Sequence, residues 1–91
     1  MKKRFITALL FTSNLAIADQ VFVCQHDKAE RIISVVYLNS PAKVPCEVRY
    51  KKNGSDTVVW KAQSEEGYCE EKAKSFISKQ EGWGWVCESH Q

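Results

Sequence analysis

Nowhere in its 91 residues does the sequence hold an apolar run long enough to cross a bilayer, which takes ~20 residues as a helix. Its best stretch, residues 5–11, is broken at Thr7. Histidine is scarce: His26 sits in a polar segment and His90 beside the C-terminus. His26-Asp27 is half of a proton-transfer pair at most, because adjacent turn residues rarely hold each other in working geometry and no third partner is in view. A glycine-rich phosphate loop, a nucleophile elbow and a metal-binding helix motif are all missing, so the sequence carries no signature of the chemistries they serve. Closely spaced cysteine knuckles are missing too. No internal repeat and no low-complexity linker interrupts the chain.

What is present begins with a tripartite N-terminus. Lys2, Lys3 and Arg4 precede the short apolar run, and Ala16-Ile17-Ala18 follows with small residues at alternate positions. That order matches a bacterial Sec-type signal peptide cleaved after Ala18. No cysteine follows Ala18 to take a lipid anchor, and there is no twin-arginine pair. The expected organisation is therefore a signal peptide over residues 1–18 and one small domain over residues 19–91, periplasmic or secreted, with no stable membrane span after processing. The leader holds three of the thirteen basic residues and none of the eleven acidic ones, so the domain carries ten against eleven, net −1. A domain with so little positive field is not expected to bind nucleic acid.

Cys24, Cys46, Cys69 and Cys87 stand 22, 23 and 18 positions apart. Structural zinc sites group their cysteines in pairs two to four residues apart, so no metal and no cofactor is expected. An even cysteine count in a small exported chain predicts two disulfides, which a domain of this size needs because its core is small.

Branched and aromatic residues predict strands over 21–24 and 31–38, the second nearly all apolar and so central, with both faces partly covered. A loop holding Pro41 and Pro45 follows. Residues 46–52 and 57–63 flank Asn53-Gly54, a hairpin signal. Placing Tyr50 opposite Val58, Val48 opposite Trp60 and Glu47 opposite Lys61 sends Cys46, Val48, Tyr50, Val58, Trp60 and Ala62 to one face, with an odd-length loop. Ser64 is the expected cap of a helix with Glu65 and Glu66 in its first turn. Its inward stripe is Cys69, Ala73, Phe76, Ile77 and Gln80, with Glu70 and Lys74 paired outside and Gly82 ending it in a left-handed cap. A last strand, 83–88, sends Trp83, Trp85 and Cys87 to one side. The fold class is α+β: a small antiparallel β-sheet of four strands, one helix packed on it and a C-terminal strand, stapled by two disulfides.

The returning strand can reach the helix start within its length, which favours Cys69–Cys87 and leaves Cys24–Cys46. The latter is constrained, since strands flanking a common neighbour lie ~9.6 Å apart and a disulfide needs Cα atoms within ~7 Å. The other two connectivities stay open.

Two surfaces are candidates for binding. Arg49, Lys51, Lys52 and Lys61 are expected together on the outer face of the hairpin, as a docking patch or a merely solvated face. Trp83 and Trp85 are read chiefly as packing against the helix, the rival being an exposed anchor. Gly84 between them leaves room for another backbone to approach.

The opening pair, Phe22-Val23-Cys24 followed by Val35-Val36-Tyr37, resembles the start of the small periplasmic inhibitors of c-type lysozyme. The resemblance covers that piece alone. The Ser-Gly-containing loop of that family has no counterpart here, so no functional residue carries over. What it implies is a periplasmic inhibitor of a cell-wall hydrolase. The broader expectation is a small exported non-catalytic interaction module whose partner is a protein or cell-envelope component. A very small hydrolase built around His26 or His90 is the rival from another class.

Overall fold

The computed structural model describes residues 18–90. The expected leader lies outside them except for Ala18, which opens the first strand. Elements run β1 (Ala18–His26), β2 (Ala29–Tyr37), β3 (Cys46–Lys52), β4 (Ser55–Ala62), α1 (Tyr68–Gly82) and β5 (Val86–Ser89). All five strands form one antiparallel sheet in the order β4-β3-β2-β1-β5, with the helix on one face. Four strands, a helix and a returning strand are as the sequence predicts, and β2 is central. No described helix is long and apolar enough to cross a membrane.

Two tight hairpins set the registers. Asp27 takes φ 54° between β1 and β2, where His26 faces Ala29. Asn53 and Gly54 take φ 53° and 82° between β3 and β4, the doubly positive pair that suits the right-handed twist of a hairpin. That two-residue turn fixes Lys52 opposite Ser55 and replaces the expected odd-length loop. Farther along, Val48 faces Trp60 and Glu47 faces Lys61 as predicted, because Val59 is an extra residue that shifts the register between them. Tyr50 consequently faces Thr57 rather than Val58, and Val58 turns to the outer face, 42% exposed.

The core lies between the sheet's inner face and α1. Cys24, Ile33, Val35, Tyr37, Cys46, Val48, Cys69 and Ala73 are all buried. Phe76 closes it with edge-on contacts to Tyr50 and Trp60, at centroid distances of 4.8 and 5.6 Å. The predicted stripe of the helix is thus the one that packs, with Cys69, Ala73 and Gln80 buried. Its ends differ from expectation. The cap is Gly67, φ 91°, not Ser64, so Glu65 and Glu66 precede the helix and Glu70 and Glu71 stand in its first turn. Glu70 accepts a hydrogen bond from the Tyr37 hydroxyl, and it lines with Lys74 the flank of the helix that faces β1 rather than its outer side. At the other end Trp83 is the C-cap and Gly84, not Gly82, is left-handed at φ 100°. Gly84 N–H donates to Glu81 O and Trp85 N–H to Gln80 O, at 3.0 and 3.1 Å. This double closure satisfies carbonyls that the helix end leaves open.

Both disulfides are present, but not in the favoured pairing. Cys24 bonds Cys87, with Cα atoms 3.9 Å apart, and Cys46 bonds Cys69, with Cα atoms 6.3 Å apart. The strand order explains it. β5 returns beyond the helix to pair with β1, which places Cys87 directly opposite Cys24. β1 and β3 flank β2, too far apart for a Cys24–Cys46 bridge, while Cys46 at the entry of β3 faces the first turn of α1.

Candidate interaction surface

One helix covers one face of the sheet, and strand alternation sends every second residue to the other face. Because Cys24, Ile33, Val35 and Val48 point at the helix, their neighbours line the open side. Following the pairing across the strands, one row reads Glu88, Val23, Ile32, Lys51, Asp56, and the next reads Val21, Ser34, Arg49, Val58. Val36, Glu47 and Lys61 form a third. Over β1 and β2 the face is thus aliphatic, with Val21, Val23, Ile32 and Val36 each half-buried. Val86 on β5 extends it to the edge and is 65% exposed. Over β3 and β4 it becomes charged.

That charged half holds Arg49, Lys51 and Lys61 from the predicted patch. Lys52 is separated from them. It shares the inner face with Arg31 and Ser55 at the hairpin tip, since its side chain must point opposite to Lys51. Arg49 is also partly neutralised, with its guanidinium 2.9 Å from Glu47 and 3.9 Å from Asp56. A uniformly basic docking patch is therefore replaced by a mixed one beside an apolar strip.

The tryptophans lie apart from this face. Trp83, read chiefly as packed against the helix, is instead 65% exposed. The helix cap takes both Trp83 and Gly84, and the strand begins only at Val86. Trp85 is half-buried, with the Arg31 guanidinium 4.7 Å above its ring and the His26 ring 5.4 Å away. This cation–π stack fastens the β1–β2 hairpin to the helix end. Gly84 lies against His26, whose ring a Cβ at this position would meet at 3.4 Å, so the bare side of Gly84 is already occupied.

His26 Nδ1 stands 3.5 Å from the Asp27 carboxylate at an exposed turn. His90 lies across the sheet, beside Val23, Glu30 and Glu88 on the open face. The two histidines do not share a site. Among the described residues no group of three or more His, Cys, Asp and Glu side chains could hold a metal ion, and all four cysteines are in disulfides.

The aliphatic strip was missed as a surface. Its signal was the near-continuous apolar character of β2, read as a central strand with both faces partly covered. Among the described residues only the helix side is covered. Compared with known protein families, with curated proteins and with solved structures, the chain has no match in any of the three.

Proposed function

We propose that this chain is an exported, non-catalytic interaction module that docks a protein or cell-envelope component on the open face of its sheet. The observation that carries the reading is the aliphatic strip of Val21, Val23, Ile32, Val36 and Val86 flanked by Glu47, Arg49, Lys51 and Lys61. Apolar surface rimmed by charge is the composition of a protein docking site: burial supplies affinity and the rim supplies register and selectivity. Export is supported by the leader-like N-terminus and by the use of every cysteine in a disulfide, a bond that persists in oxidising compartments.

The test is affinity capture with the oxidised chain starting at Asp19, at low salt, from periplasmic extract and a panel of cell-wall hydrolases. Wild-type protein is expected to retain a partner that the Ile32→Lys variant does not, with the Trp83→Ala variant retaining it unchanged. A retained hydrolase whose activity falls on binding narrows the module to an inhibitor. Equal retention by the Ile32→Lys variant, or none by the wild type, overturns the assignment.

A further inference from the structure

On the opposite side of the sheet, the flank of α1 and the inner face of β1 enclose a groove of about 470 Å³. It exists because the helix seats on β2, β3, β4 and β5, leaving Gln20 and Phe22 of β1 only half-buried. From the helix come Glu70, Ala73, Lys74, Ile77, Ser78 and Glu81. They follow three- and four-residue steps and so form a single stripe.

Phe22, Ala73 and Ile77 make an apolar floor. Glu70 stands at one wall with its two carboxylate oxygens unequally served. Oε2 accepts the Tyr37 hydroxyl, whereas Oε1 is shielded from water and has no hydrogen-bond partner. A buried carboxylate oxygen with an empty acceptor position is unusual and calls for a donor. Glu81 adds a second negative charge against the one positive charge of Lys74, so the groove is net acidic over an apolar base.

We propose that this groove binds a basic side chain, lysine or arginine, presented by a partner protein. Such a side chain matches both halves of the site. Its methylene stem lies along apolar surface while its charged head seeks an acceptor, here Glu70 Oε1 through a charge-assisted hydrogen bond. The terminal torsion of a glutamate is soft, so a small rotation about it turns Oε1 toward an entering donor. The site stands independently of the open sheet face, from which the sheet itself separates it.

The oxidised chain beginning at Asp19, with a free α-ammonium, is titrated with N-acetyl-arginine amide and, separately, with the neutral isostere N-acetyl-citrulline amide. Amide shifts are followed by NMR. Saturable shifts at Phe22, Glu70, Ala73 and Ile77 are expected with the arginine probe, and at least five-fold weaker binding with the citrulline probe. Glu70→Gln keeps an acceptor for Tyr37 and is expected to abolish that preference. If this variant does not fold, the comparison of the two probes on the wild-type chain decides alone. Equal response to both probes, no saturable response, or a preference that survives Glu70→Gln overturns the proposal. So does binding that appears only when the N-terminus is acetylated, because the partner of Glu70 would then be the chain's own ammonium.

Discussion

Ile32 and Ile33 are neighbours in β2 with different fates. Ile33 has no exposed surface beneath the helix, whereas Ile32 is half-buried on the open face. Truncating the first removes packed methylenes and leaves a void, so Ile33→Ala is expected to cost about 3 kcal/mol. Ile32→Ala gives up strand propensity and partial burial alone, about 1 kcal/mol or less. Urea unfolding of the two oxidised variants checks this, and similar losses would mean that the open face is covered by something in the free protein. In β1 and β2, which of the two faces the helix would choose was not legible. Val21 and Val23 are as apolar as Phe22 and Cys24, and a strand with two apolar faces announces centrality, not direction. Trp83 was misplaced for a local reason: strand-like alternation through Trp83, Gly84 and Trp85 hides a helix cap that uses the first two residues and frees the tryptophan to solvent.

At the scale of elements, opposite-charge and aromatic pairs made much of the sheet readable. Glu47 with Lys61 and Val48 with Trp60 placed the far half of the β3–β4 hairpin correctly. The near half was hidden because Val58 and Val59 are equally apolar, so pattern alone cannot reveal which of them is the extra residue. Cysteine pairing depended on where β5 inserts, and a terminal strand can join either edge of a sheet. Here β5 is four residues long, hydrogen-bonded to β1 on one side and mostly exposed, with Cys24–Cys87 as its covalent tie. Its few contacts make it the element whose opening requires the least free energy. In the Cys24→Ala/Cys87→Ala variant, amide hydrogens of residues 86–89 are expected to lose exchange protection while those of residues 73–80 in α1 keep it. Non-reducing peptide mapping of the wild type should meanwhile recover Cys24 joined to Cys87 and Cys46 joined to Cys69. Loss of helix protection together with β5 would show that the two elements open as one unit.

Among the described residues the molecule is a single helix on a single sheet, and its stability follows from that thinness. A domain of the 73 described residues, 18–90, is worth ~4–11 kcal/mol at the usual 0.05–0.15 kcal/mol per residue. Against this, the chain-entropy argument gives ~3 kcal/mol for the loop closed by Cys46–Cys69 and ~4 kcal/mol for the longer one closed by Cys24–Cys87. The two bonds together are comparable with the entire stability, because among the described residues the helix covers only one face and leaves Val21, Val23, Ile32, Val36, Val58 and Val86 on the other. Reduction should therefore unfold the domain at 25 °C without any denaturant. The near-UV circular dichroism of Trp60 and Trp85 is the readout, lost on adding dithiothreitol and restored on reoxidation. A native near-UV spectrum in the fully reduced chain would show that sheet and helix hold without the bonds, and would remove the energetic reason for folding in an oxidising compartment. Loss of the spectrum would tie the fold to that compartment, because a chain held in a reducing one would present its aliphatic strip and acidic groove on no stable scaffold.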